Sequence, residues 1–501
     1  MQKRNKGIVL SYLNTGLSMI CGLVLSSYLL RMLGATEYGV YQMVSSFVTY
    51  LVLLEFGTGN VLTRNIVAIR AKSGSSEEID KNYSTVMLIC FFLMFIILIV
   101  SVIFYCLIGT IYSESLTLEQ VVYAKKIFIF MAIYMVVSFF SQTLNGLAFA
   151  FEDYCVSSLV SIARFIVRTI ILIVLILFVK YSIVIAIVDA ALSLVIGIFM
   201  FVYCRTKFKV RFSVKYFDFG ILKASFPLAF AIFLQTIVNQ ANNNVDKFVI
   251  GIKLNPESVS LYSVALYVYG IFSSLTTAPI SMYAPEIIKM VNQNKKGNEL
   301  LDAVVKPSRL IVIIGGLCFF GFIACGEPFI SIVYGDEYLE AWLIAIIIMA
   351  PMLINMSNGV LINVLDAMDK RMFRSLALTI TTIANIVLTV FLIDWLGMVG
   401  AALATALSVC LGQITTMNIY YSKKIKINVL KMYWLTFRGI LIYHIIGAVL
   451  GFISSYFINN NYLAFVVGGV VYVAVFFFGY SLFGMTREEK ERFKRVFKRK
   501  C

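Results

Sequence analysis

Fourteen predominantly apolar runs, each of more than 20 residues, occupy most of this chain. A helix needs roughly 20 such residues to cross about 30 Å of hydrocarbon. Lipid offers no partner to backbone N–H and C=O groups, so unbroken runs of this length can cross only as helices. The runs are approximately 8–33, 38–62, 85–111, 122–148, 155–179, 182–204, 222–248, 259–284, 308–334, 341–365, 375–395, 398–421, 432–457 and 461–483. Composition agrees: 14% of residues are charged, against about 25% in a soluble protein. The expected fold class is an all-α polytopic membrane protein of about 14 transmembrane helices. The first run follows Met1 to Lys6 and imitates a signal peptide, but it exceeds an h-region of about 7–15 residues and is read as the first span.

Basic residues test the span parity. With the N-terminus inside, 33 of the 42 Lys and Arg fall on inner segments, six on outer ends and three within spans. That asymmetry is the positive-inside pattern, and it places both termini in the cytoplasm. The net charge of +16 therefore reports orientation rather than nucleic-acid binding, which needs a basic patch on a folded soluble surface. The nine cysteines form no C-x-x-C spacing and read as small apolar packing residues.

The chain also repeats. Tyr41 ends the loop between spans one and two, and Tyr262 ends the loop between spans seven and eight, 221 positions later. Asn145 and Asn363, 218 positions apart, each precede an acidic turn. Two six-span lobes of the same orientation follow, with a substrate site expected at the repeat interface. The expected organisation is 1–204 for the first lobe, 205–223 for a basic cytoplasmic linker, 224–421 for the second lobe, 432–483 for two extra spans and 484–501 for a basic tail. Gly34 and Gly39 flank the first turn, and at least one is expected to need a backbone angle that only glycine takes easily.

Polar residues inside spans are costly and point to function. Span five carries Arg164 and Arg168, which at 1.5 Å per residue lie roughly 13 and 20 Å deep. Each costs about 2.5–3.5 kcal/mol on insertion scales, and i, i+4 spacing sets both on one face. Two readings stand: a cationic cavity that binds an anion, or a structural pair between Arg168 and Asp189 of span six. Glu55 and Asp189 with Gln235, Asn239 and Asn243 of the polar span seven are candidate cavity-lining groups. Asp246, Asn385 and Thr389 are a candidate oxygen set for a small cation, with an interhelical hydrogen bond as the plainer reading. Pro227, Pro279 and Pro351 are candidate bending points. No nucleotide-binding G-x-x-x-x-G-K-[ST] loop occurs, and His444 is the one histidine. Transport is favoured over catalysis, and no metal or cofactor is expected.

Arg31-Met-Leu-Gly-Ala-Thr-Glu-Tyr-Gly-Val-Tyr41 resembles the R-x-L-G-x-x-x-[YF]-G-x-[YF] signature of the bacterial polysaccharide transporter family. Glu55-Phe-Gly-Thr-Gly-Asn-Val-Leu-Thr-Arg64 is similar to that family's D-F-G-L-x-x-x-x-x-R stretch, with Glu for Asp and Thr for Leu. The family, which includes the Wzx-type flippases, belongs to the multidrug/oligosaccharidyl-lipid/polysaccharide exporter superfamily. The resemblance implies two six-helix lobes in a V around a central cavity, in a bacterial plasma membrane. It also implies an undecaprenyl-diphosphate-linked oligosaccharide as substrate, turned from inner to outer leaflet by alternating access. Membrane lipid, a polymerase and glycosyltransferases are the implied partners. Arg164, Arg168, Arg31 and Arg64 are then the candidate contacts to the diphosphate, since arginine offers paired donors to phosphate oxygens. A cation-coupled multidrug exporter would want buried acids instead, and a non-transporting scaffold for polysaccharide assembly would need no mid-membrane arginines.

Overall fold

The computed structural model describes residues 2–293, 298–368, 370–487 and 489–491, with their side chains except those of 2–15, 238, 239, 241–243, 278, 281 and 371. Among the described residues there is no strand. Twelve helical segments among them are long and apolar enough to cross a membrane, and the bent pair Val429–Phe437 and Leu441–Tyr456 makes a thirteenth. One of the twelve, Met372–Lys424, has 53 residues. As a straight helix it would be about 80 Å long, more than twice the hydrocarbon thickness. It is not straight, because Gly397 takes φ 57°, ψ −137°. Across that break the Thr405 hydroxyl lies 3.4 Å from the Asn385 side-chain oxygen, and Gly412 packs directly on Thr381. The segment is a hairpin of two spans, so each of the fourteen apolar runs has its own crossing segment. The chain is an all-α, multi-pass membrane protein.

Local sequence sets where the helices begin and end. Ser75 caps α4 (Ser76–Ile111) by accepting the Glu78 N–H. Thr117 and Gln120 close a capping box at the start of α5 (Leu118–Ala150), which satisfies two N–H groups that the helix itself cannot. Asn460 caps the last long helix, Asn461–Gly479, through Tyr462 and Leu463. Helical backbone angles continue through Pro227, Pro279 and Pro351; the breaks fall at Cys325, three residues before Pro328, and at Gly397.

Contacts divide the chain into two compact units after Ser260. This groups α8 (Phe219–Lys253) with the first six spans, whereas the repeat in the sequence divides the lobes at 205–223. In the first unit, α1 (Gln2–Leu33) turns into α2 (Ala35–Val48) at Gly34, whose φ is 81°. Gly39 needs glycine for a different reason: a Cβ there would run into the Pro256 carbonyl. Thr36 bonds the Glu257 carboxylate in the same approach. Glu37 accepts from the Tyr123 hydroxyl, and from the Ser182 N–H at 2.8 Å and its hydroxyl at 3.1 Å. It thus sits at the N-terminus of α7 (Ile183–Phe208), where a carboxylate is favoured by the helix dipole. The loop motif is a knot that ties α2, α5 and α7 together.

The second unit contains a buried arginine whose partners explain the bent span. Arg309 lies on the helix Asn298–Val333 and is 5% exposed. Its guanidinium donates to the carbonyls of Leu435 (2.8 Å), Arg438 (3.0 Å) and Gly484 (3.2 Å), and to both oxygens of Glu489 at 2.8 and 3.1 Å. The helix Val429–Phe437 ends at Arg438 and Gly439, where φ is 74° and the axis bends by 48°. Broken helices leave carbonyls that lipid cannot satisfy. Arg309 satisfies them, so the bend is held from a neighbouring helix. His444 is equally enclosed, stacked on Phe320 and Phe476. Tyr472 donates to the Gly316 carbonyl at 3.0 Å, so its oxygen accepts the Nδ1–H of His444 at 2.8 Å. His444 is therefore a packing residue.

Candidate functional site

Span five is α6 (Tyr154–Phe178), and it brings its two arginines to different partners. Arg168 pairs with Asp189 of α7 through both oxygens, Nε to Oδ1 at 2.5 Å and Nη2 to Oδ2 at 2.9 Å. The side chains are 25% and 14% exposed. This fork-on-fork geometry is the strongest form of carboxylate recognition. Tyr41 and Tyr134 are close enough to interact electrostatically with the pair. The Arg168 Nη1 edge makes no hydrogen bond among the described residues. Arg164 stands otherwise. Its guanidinium lies 5.3 Å from the centre of the Tyr134 ring, within cation–π range. No carboxylate pairs with it among the described residues.

Of the tyrosines around this cluster, Tyr38 and Tyr41 come from the signature loop, Tyr134 from α5 and Tyr28 from α1. Tyr38 is buried and accepts from Gln42 at 2.6 Å. Tyr28 of α1 bonds the Ile173 carbonyl of α6 at 2.8 Å, which fixes the arginine-bearing helix against the first. The knot at Glu37 ties α2, whose Tyr41 neighbours Arg168, to the start of the helix that carries Asp189.

A second polar region surrounds Glu55. The chain leaves a short 3-10 turn, Thr49–Glu55, through Phe56 and Gly57, both left-handed with φ 47° and 61°. Phe56 stacks on Phe233 with centroids 4.4 Å apart. The next helix, α3 (Thr58–Ala71), then crosses α5 almost backbone to backbone. A Cβ on Gly59 would lie 2.8 Å from the Gln142 carbonyl, and Gly146 meets the Gly59 carbonyl directly. Small residues permit such close crossings in lipid. Thr58 and Thr143 bond at 2.8 Å, and Thr63 reaches the Gly146 carbonyl at 2.7 Å. Beside this crossing is a cavity of about 240 Å³ whose lining includes Glu55, Asn60, Gln142 and Asn145.

The other candidates fall in both units. Arg31, Arg64 and Gln235 are exposed. The side chains of Asn239 and Asn243 lie outside the described residues. Asp246 is buried in the first unit. Asn385 and Thr389 belong to the second, where Thr389 bonds Asn385 at 3.2 Å and Thr405 joins them across the hairpin. Glu37, Tyr123, Ser182 and Arg309 were not singled out from the sequence. Their partners lie 59 to 180 positions away, and no local spacing reveals such pairs. The amides of Asn60 and Gln142 were missed too, although each stands beside a helix-crossing glycine or threonine.

Comparison with known proteins narrows the class. Residues 5–290, more than half of the chain, match the family described as Polysaccharide biosynthesis protein. The probable low-salt glycan biosynthesis flippase Agl15 of Haloferax volcanii is 26% identical over 239 residues, 46% of this chain and 49% of that protein. The chain thus spans about half the length of this curated relative. The lipid II flippase MurJ in an inward closed conformation superposes with a TM-score of 0.73 at 18% identity, covering 95% of this chain and 98% of that one. An inward-facing multidrug resistance MATE family transporter of the MOP superfamily gives 0.59 at 13% identity, over 82% and 94%. Both likenesses are of fold. The extent of the family match decides the assignment, and the chain belongs to the polysaccharide biosynthesis protein family.

Proposed function

We propose that this protein is a flippase that carries a lipid-linked oligosaccharide from the inner to the outer leaflet, and that its substrate is linked through undecaprenyl diphosphate. The observation that carries the reading is Arg164, a mid-span cation with an aromatic neighbour and no carboxylate partner among the described residues. Such a residue costs about 2.5–3.5 kcal/mol in the membrane, so it is retained for an anion that arrives from elsewhere. A diphosphate supplies that charge. Arg164 binds it with a paired fork, and the Nη1 edge of Arg168, held by Asp189, adds a second contact. Asp189 is then a positioning residue. A lone cation at this place repels the cationic compounds that a multidrug exporter carries, so that reading is the weaker one. The protein sits in the plasma membrane of a bacterial cell with both termini inside, and supplies its product to a polymerase after glycosyltransferases have built it.

The test is complementation of a flippase-deficient strain, with membrane abundance measured for each variant. Arg164→Ala and Arg164→Glu abolish growth at normal abundance, and Arg164→Lys retains a reduced share because it keeps charge without the fork. Full complementation by Arg164→Ala removes the proposal.

A further inference from the structure

We infer that the cavity beside Glu55 is a sugar-recognition subsite, which takes an uncharged pyranose of the lipid-linked glycan; the inference rests on the flippase reading above. Three polar groups face this space without a hydrogen bond to protein among the described residues: the Glu55 carboxylate and the amides of Asn60 and Gln142. Asn145 has its oxygen engaged by Ser157 at 3.0 Å, which leaves its two N–H donors for the cavity. Phe149 adds an aromatic surface and Thr236 a hydroxyl to the lining. A sugar hydroxyl both donates and accepts. A carboxylate accepts only, whereas a primary amide does both, so this set matches a ring of hydroxyls.

Size and charge exclude the simpler occupant. The cavity, about 240 Å³, has room for several waters, each of which needs about 10–15 Å³ of such space, far more than a bare cation fills. Cation sites gather six or more oxygens, often several carboxylates. Here there is one carboxylate, the Asn145 oxygen is already engaged by Ser157, and the amide oxygens of Asn60 and Gln142 leave the set short of the six that such a cation gathers. The cavity is below the range of drug-sized pockets, about 300–1,000 Å³, and fits one ring of a larger ligand.

Its place on α5 supports the same occupant. Tyr134, which faces Arg164, and Asn145 are eleven residues apart, close to three turns and therefore on one face. That is about 16 Å along the axis. By the charge pattern α5 runs from outside to inside, so the cavity lies on the cytoplasmic side of Arg164. A diphosphate at Arg164 would extend its glycan toward Glu55, across a gap that an oligosaccharide spans and a single sugar does not.

The experiment uses the purified full-length protein in lipid nanodiscs with two probes. One is undecaprenyl diphosphate without sugar; the other is the glycan-bearing lipid fraction extracted from flippase-deficient cells. Asn60→Leu, Gln142→Leu removes two hydrogen-bonding side chains, so affinity for the glycan-bearing lipid should fall about tenfold while the bare lipid binds as before. Equal losses for both probes, or no loss for either, overturn the subsite. If the leucine variant unfolds, Asn60→Cys labelled with a small maleimide replaces it. Protection by the glycan-bearing lipid alone supports the inference, and equal or absent protection overturns it. Glu55→Gln should keep the glycan affinity within about threefold, since the amide still accepts from a hydroxyl. Normal glycan affinity with lost transport and lost cation dependence would make this a cation site and end the proposal. A wild-type chain that binds neither lipid removes the flippase reading itself, and the subsite with it.

Discussion

Breaking the Arg168–Asp189 pair should cost stability in a way that removing both members does not. The pair is bidentate, at 2.5 and 2.9 Å, with side chains 25% and 14% exposed. Deleting one partner of a fully buried pair costs about 3–5 kcal/mol because the other charge is left uncompensated. The residual exposure here discounts that to about 2–3 kcal/mol. Asp189→Ala strands a cation at mid-span, and Arg168→Met strands a carboxylate. The double variant Arg168→Met, Asp189→Leu strands neither and restores shape with apolar atoms. Thermal unfolding of the purified protein in detergent should show both single variants well below wild type and the double variant between them and wild type. The coupling should exceed about 1 kcal/mol, since the residues are in direct contact. On the proposed reading transport should follow a different order, because the double variant would lack the Arg168 contact to phosphate and stay impaired despite its recovered stability. Additive losses, or an Asp189→Ala variant as stable as wild type, would show that the pair holds nothing.

Three further outcomes follow from particular contacts. Gly39→Ala should lower folded abundance more than Gly34→Ala, as the first drives a Cβ into the Pro256 carbonyl and the second meets only an unfavourable φ of 81° in open space, about 1–2 kcal/mol; equal abundance would contradict this. Burial pushes the Glu489 carboxyl up, but its bonds to Arg309 and to the Thr486 N–H outweigh burial and hold it below the usual carboxylate value. Its stabilisation is therefore complete above about pH 4.3, the unfolded value, and is lost as pH falls through the lower folded value. Melting temperature should drop in that acid range for wild type, and Glu489→Gln should flatten the drop; parallel curves would exclude the effect. Single cysteines at Asn460 and Lys295, in a background without accessible thiols, should react with an impermeant reagent from outside and inside respectively, and labelling at 295 in intact cells would invert the topology.

What could be read from the sequence follows the range of the interaction. Apolar runs announce themselves within 20 residues, so the fourteen spans stand where the runs lie, including the hairpin at Gly397. Asp189 was legible as a partner of Arg168 because the two sit on consecutive spans, and Glu55 because a carboxylate inside an apolar run is costly. Arg309 was not legible. Its partners are carbonyls freed by a helix break more than 120 positions away, and a carbonyl carries no sequence signal. Glu37 was visible only as a letter in a motif. The structure supplies its duty, which is to bind the start of α7 and the Tyr123 hydroxyl of α5.

On the proposed reading, Arg164 holds the diphosphate of a lipid-linked glycan during its passage between leaflets, and flipping by the purified protein in proteoliposomes tests this. Glycan-bearing undecaprenyl diphosphate enters on one side and is detected by a lectin or enzyme confined to the other. Wild type should move the lipid, and Arg164→Ala, with unchanged melting temperature, should reduce the rate to that of empty liposomes. An Arg164→Ala protein that flips at the wild-type rate would mean that Arg164 does not hold the diphosphate.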